Sequence, residues 1–393
     1  SDEPWLVEDK FAIMAADPYD FMRGSAALHF ADLARAAQDR PHTRFLQSPA
    51  ASTVLIFGDP HPENATVCRA DPTDEEPDPR PTVELVDLDA SGFGPWTLDL
   101  RRAALGLAML STGLEGCEAS CRAGAIEALA EGYADVIAGG DSADQGDIFA
   151  DLRNESRTEG AALQRTEVYA PLNARGGRTM ALGTANGLDA LSTEERLVLS
   201  QILSEMPLPA DFRMLDAARR YGSGVTSRPA LRFVVAWDRG DPSPEDDALL
   251  SFREVADPPV FPGRAVARSA AFENNGQRVA LAAERLWSRP DADPRSGWAP
   301  AGGMQFKALS WTSWFQDIDH IKLQADWDDG SIEEEDLWDL GEDLGRTLAG
   351  SHGRARTFAG DDAQHVILTD LRAGGDKARL TDELLRDMAA DLP

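Results

Sequence analysis

Between Val54 and Asp99 the chain twice runs a short apolar stretch straight into an aspartate. Val54-Leu55-Ile56-Phe57 leads into Gly58-Asp59, and Val83-Glu84-Leu85-Val86 leads into Asp87. Each reads as a buried strand that hands its acid to the loop at its end. A fold for this sequence has to bury both runs and leave both carboxylates at their rims.

Asn64 follows Asp59 by five residues, the D-x-x-x-x-N spacing of a kinase catalytic loop. The residue types suit phosphoryl transfer, in which the protein orients a hydroxyl and holds Mg2+ on the phosphates. Asp59 is placed to accept the substrate proton. Asn64 and Asp87, with Asp89 as a further candidate, offer the hard oxygen ligands that Mg2+ takes. The bland alternative is a Gly-Asp-Pro-His turn followed by a solvated strand end. The apolar strand before each acid, and the Gly92-Phe93-Gly94-Pro95-Trp96 tail running on to Asp99, argue against it.

Gly58-Asp59-Pro60-His61-Pro62-Glu63-Asn64, Val86-Asp87-Leu88-Asp89-Ala90 and Gly94-Pro95-Trp96-Thr97-Leu98-Asp99-Leu100 resemble the catalytic and metal-binding segments of aminoglycoside phosphotransferases and related small-molecule kinases. More closely, the chain resembles the bacterial domain-of-unknown-function family 2252, which pairs these motifs with an upstream F-x-R-G, here Phe21-Met22-Arg23-Gly24. The resemblance runs from about Asp17 to Arg354 and is dense in motifs only between Phe21 and Arg102. It implies Asp59 as the catalytic-loop acid, Asn64 and Asp87 as metal ligands, and Asp99 as a structural acid that holds the loop. Arg23 is a candidate phosphate or acid clamp, and His61 is expected to shape the loop by hydrogen bonding.

The 393 residues carry a net charge of −30. That argues against nucleic acid, whose binders need a basic footprint, and against anionic membrane surfaces. No apolar run of about 18 residues is present, so no membrane span is expected. Cys68, Cys117 and Cys121 form a sparse, odd set. Cys117 and Cys121 fall four apart on an expected helix and suit neither a disulfide framework nor a zinc site. A reducing cytoplasm is the expected home.

Apolar spacing predicts helices over 24–38, 98–110, 118–137, 266–287 and 332–352. Ser192 and Glu195 form a capping box that opens another. Residues 69–81 read as an acidic, Pro-rich hairpin loop. From 210 the character changes to strands over 231–237, 249–255 and 303–310, preceded by Tyr221-Gly222-Ser223-Gly224-Val225. In a kinase such a glycine loop, with Gly222, Ser223 and Gly224 at the nucleotide, precedes the catalytic loop; here it follows. The expectation is an α+β, protein-kinase-like, two-lobed fold in circularly permuted order. A mostly helical large lobe (1–209) would be rejoined by terminal helices (326–393), with a small antiparallel-sheet lobe (210–325) between them. Termini that lie close together at a surface make permutation tolerable.

No lysine occurs between Lys10 and Lys307, so the usual phosphate-contacting strand lysine is missing. Arg253, on the strand after the glycine loop, is its best substitute, with Glu284 on the following helix as the expected partner. Two functions of different class follow. One is an ATP- or GTP- and Mg2+-dependent phosphotransferase acting on a small-molecule hydroxyl or amine. The other is a catalytically weak nucleotide-binding regulator on the same fold. A metal-dependent hydrolase built on Asp59, His61, Asp87 and Asp89 is disfavoured, because His61 is the only histidine near the acids.

Overall fold

The computed structural model describes residues 4–39, 54–69, 78–141, 146–159, 178–183, 187–206, 208, 212–222, 224–238, 247–261, 266–290, 297–311 and 315–391. Ser223, most of the acidic loop at 69–81 and most of 154–187 lie outside them. The described chain is α+β, and every strand pairing in it is antiparallel.

Helices α1 (Pro4–Ala16), α2 (Pro18–Gly24) and α3 (Ala26–Asp39) come first. Strands β1 (Val54–Ile56), β2 (Ala65–Cys68), β3 (Thr82–Leu85) and β4 (Gly92–Gly94) follow, then α4 (Thr97–Thr112), α5 (Ala119–Ile137) and α6 (Asp147–Thr158). Both expected acid-bearing strands are present, and β2 and β3 form the hairpin that brackets the acidic loop.

After β5 (Leu188–Asp189) the capping box of Ser192 and Glu195 opens α7 (Thr193–Glu205). Strands β6 (Arg213–Arg220), β7 (Arg232–Asp238) and β8 (Ala248–Glu254) lead to α8 (Arg268–Ala271) and α9 (Asn275–Leu286). Strands β9 (Gly297–Ala301), β10 (Met304–Trp311) and β11 (Gln316–Asp317) precede α10 (His320–Asp328), α11 (Glu334–Arg354), α12 (Ala363–Gly374) and α13 (Asp376–Asp391).

The helical half is organised on α5 and α11. Leu337, Leu340, Leu344 and Leu348 repeat at helical spacing and are buried. Gly341 and Gly345 let the two backbones meet: a Cβ on either would stand 2.3 or 2.2 Å from a carbonyl oxygen of α5. The other half is a six-stranded sheet in the order β5-β6-β7-β8-β10-β9. Strand period two sends Phe233, Val235, Leu250, Phe252 and Phe306 to one face, where Leu191, Leu199 and Ile202 cover them. The core under the sheet thus begins upstream of residue 210.

Two expectations need correction, and three strands of the larger sheet lie outside those expected. The helix expected over 266–287 is two, because Phe272 is extended and the Asn274 side chain caps α9 by accepting from the Gln277 N–H. Of the six-stranded sheet, β5, β6 and β9 are not among the expected strands; in β6 (Arg213-Met214-Leu215-Asp216-Ala217-Ala218-Arg219-Arg220) four of eight residues are charged and one is buried. Cys117 and Cys121 are joined in a disulfide, with Cα atoms 5.3 Å apart. Helix α5 starts at Ala119, so Cys117 sits in the turn before it and can bend back, which two helical positions could not. With that bond, the cysteines no longer argue for a reducing compartment. No helix among the described residues is long and apolar enough to cross a membrane.

Candidate functional site

A cleft of about 1560 Å³ separates the helical half from the sheet, and both halves line it. Its helical wall begins with β1. Gly58 follows that strand at φ +83°, and a Cβ there would stand 2.3 Å from the Ala90 carbonyl oxygen, so only glycine fits. The Asp99 carboxylate accepts from the Phe57 and Gly58 N–H groups at 2.7 and 2.8 Å. His352 Nε2 lies 3.1 Å from Asp99, and His352 Nδ1 lies 2.8 Å from the Tyr133 hydroxyl. The loop start is thereby fixed from behind by a wholly buried acid.

Asp59 comes next, buried, with Oδ1 accepting from Arg102 Nε at 2.5 Å. Burial raises its pKa even though Arg102 pulls the other way. Asn64 donates its side-chain N–H to the Asp59 carbonyl at 2.8 Å, which leaves the amide oxygen free to accept or to ligate. The Asn64 carbonyl accepts from Val86 N–H, tying the loop to the end of β3, one residue before Asp87. His61 is buried, and burial with Arg23 and Arg102 nearby pushes its pKa down to about 3, so the imidazole is neutral. Arg23 pairs with Glu63 at 2.5 Å and Asp20 at 2.8 Å, which makes it an acid clamp at the cleft floor. Glu63 also bonds His320.

The sheet wall faces these groups. Arg253 reaches across to Asp87 at 2.8 Å and Asp89 at 2.5 Å. Lys307, its register partner on β10, reaches Asp89 at 2.7 Å and Asp87 at 3.5 Å. Burial alone would raise the Asp87 pKa, but Arg253 and Lys307 overcome it and hold the carboxyl well below the usual range. Gly224 lines the cleft at φ +73°; Gly222, at φ +77°, gives its carbonyl to Arg228 Nη1 at 3.0 Å. Ser223 is outside the described residues.

Glu284 does not reach Arg253. Helix α9 begins at Asn275, and its inward face carries Arg278, Val279, Ala282, Ala283 and Leu286, leaving Glu284 exposed on the other side. Arg253 takes its carboxylates from Asp87 and Asp89 instead. The inward cation, Arg278, holds the turn after β3 by donating to the Asp89 and Ser91 carbonyls at 2.8 and 2.7 Å. Nor do Asp59, His61, Asp87 and Asp89 converge as a transition-metal set: Asp59 is turned to Arg102, and the other two acids to Arg253 and Lys307. Among the described residues, Asp17, Asp20 and His320 do approach one another, but Asp17 caps α2 and Asp20 serves Arg23.

Sequence reasoning passed over Arg102, Lys307, Arg232 and Arg220. Arg102 lies one helical turn past Asp99. Lys307 is one of only four lysines. Arg232 is opposite Arg253 on β7 and is visible only once register is known.

The chain matches, over residues 3–175 and 189–391, the family described as "Uncharacterized protein conserved in bacteria (DUF2252)", and it belongs to that family. No curated protein and no solved structure matches it.

Proposed function

We propose that the chain is a phosphotransferase with a kinase-like core in permuted order, taking ATP or GTP with Mg2+ and a small-molecule hydroxyl or amine as acceptor. The observation that carries this reading is the meeting of Asp87 and Asp89 with Arg253 and Lys307 across the cleft. Carboxylates on one wall and cations on the other supply both things a metal-bound phosphate chain needs. The order of elements supports it too: a glycine turn between β6 and β7, then Arg253 on β8, then a helix, all downstream of the Asp59 loop.

The residues fit Mg2+. Asn64 has a spare amide oxygen, and Asp87 and Asp89 line the same cleft. Bound there, the ion would neutralise phosphate charge. Arg253 and Lys307 would exchange their carboxylates for phosphate oxygens, and Arg, with a forked head, would grip two at once. Asp59 keeps Oδ2 for the acceptor's proton while Arg102 holds Oδ1.

One observation favours the second reading, a catalytically weak nucleotide-binding regulator: the metal acids are already neutralised by the two cations. Turnover separates the two. Slow nucleotide hydrolysis to water can be followed without a known acceptor, and Asp59→Asn should cut it at least 100-fold with little change in nucleotide affinity. Matching rates in wild type and variant would favour the regulator.

A further inference from the structure

Three cations stand side by side on the sheet. Arg232 lies directly opposite Arg253, and Arg253 directly opposite Lys307, across strands β7, β8 and β10. Like charges placed directly opposite one another destabilise a sheet unless something neutralises them. Arg220, from the end of β6, joins the row and stacks over the Trp311 ring at 4.0 Å.

Asp87 and Asp89 account for Arg253 and Lys307. Among the described residues, no carboxylate pairs with Arg220 or Arg232. Arg232 is only 5% exposed, its Nε has no acceptor, and its polar partner is Ser227. Burial with Arg253 and Arg220 nearby pushes its pKa down to about 9, and Asp87 and Asp89, which pair with its neighbours, pull the other way without offsetting that. Arg278 is fully buried, yet it donates to several carbonyls; that is how a structural arginine is held.

The Ser227 hydroxyl occupies the space between the guanidinium groups, 2.5 Å from Arg232 Nη2 and 3.1 Å from Arg253 Nη1. An oxygen accepting from two charged donors stands where an oxyanion's oxygen would. Ser227 belongs to a turn that leaves β6 through Gly222 and Gly224, both at positive φ, and Arg228 ties that turn to the two glycine carbonyls.

We propose that Arg220, Arg232 and Arg253 form a seat for linked phosphate groups on the sheet wall, which the Ser227 turn fills until such an anion displaces it. Strands lie about 4.8 Å apart, so the seat from Arg220 on β6 to Arg253 on β8 spans roughly 10 Å. That suits a chain of two or three phosphates and not a single one. Naming the anion as a donor's phosphate chain rests on the phosphotransferase reading; the seat itself does not.

The test is calorimetric titration of the whole chain with inorganic triphosphate, and with orthophosphate, without divalent metal. Wild type should bind triphosphate at least tenfold more tightly than orthophosphate. Arg232→Gln should weaken triphosphate binding at least tenfold without lowering the thermal midpoint of the anion-free protein, because one of two opposed like charges has gone. Ser227→Asp keeps every arginine but plants a carboxylate in the seat, and should block binding. Wild-type affinity in either variant, or no triphosphate binding by wild type, overturns the proposal. If Mg2+-nucleotide binds and Arg232→Gln leaves triphosphate affinity unchanged, the seat falls and the phosphotransferase reading stands. Triphosphate binding without any Mg2+-nucleotide binding does the reverse.

Discussion

The two walls of the cleft hold their charges in opposite ways. On the helical wall, Asp59 is gripped by a buried arginine and Asp99 by two backbone N–H groups and a histidine. On the sheet wall, Arg220, Arg232, Arg253 and Lys307 come from four strands and have few acceptors of their own. Two of them borrow carboxylates from across the cleft, and one borrows a hydroxyl from a turn. On the first wall Asp59 and Asp99 are satisfied from inside the scaffold, and Asp87 and Asp89 at its rim are the acids it offers across the cleft. The second is satisfied only by groups that a ligand could replace. Exchangeable cations are what an anion-accepting site requires.

If that contrast is right, the largest effect on stability should come from the scaffold. Asp99→Ala leaves the Phe57 and Gly58 N–H groups and His352 buried without their acceptor. The cost should be at least about 3 kcal/mol, the range for stranding the buried partners of an ionised group. Urea unfolding measures it. A loss under about 1 kcal/mol would mean the loop is held by something else, and the contrast between the walls would dissolve.

A smaller effect tests the cleft floor, where Glu63 and His320 meet. The bond to Glu63 raises the His320 pKa above its ordinary 6.5. A raised value means the pair's contribution is fully present below about 6.5 and is lost as pH rises through the folded-state pKa. Burial favours the neutral acid, but the His320 bond and Arg23 together still hold Glu63 below 4.5, so the contribution also fades as pH falls through that lowered value. His320→Gln should therefore lower the thermal midpoint by roughly 2 °C at pH 6 and by less at pH 9. Scanning calorimetry at the two values checks it, and an equal or larger drop at pH 9 would reverse the assignment of charge.

The same contrast explains what could be read from the sequence. Asp59, Asn64, Asp87 and Asp99 fall within about forty residues, each fixed by a local device: a strand end, a glycine turn, a helix start. Such devices leave marks in composition and spacing. Arg253 could be found because the chain lacks a lysine where one was expected. Arg232 and Lys307 could not, because their meeting depends on the register of three strands, and no single strand's period records it. Glu284 fails for a related reason: α9 starts at Asn275, behind the Asn274 cap, and that start sets which residues face inward, whereas a helix begun at 266 gives no such phase. Cys117 lies off the helix, in the turn that lets the disulfide close, and a spacing of four does not show that.

The most direct test of the central claim, that the two walls meet over a metal-bound phosphate chain, is calorimetry of ATP and GTP with and without Mg2+ on three chains. Wild type should bind a nucleotide more tightly when Mg2+ is present. Asp87→Ala should lose that gain, and Arg253→Ala should weaken binding at least tenfold, about 1.4 kcal/mol. An Asp87→Ala chain that keeps the full benefit of Mg2+, or an Arg253→Ala chain with unchanged affinity, would contradict the account.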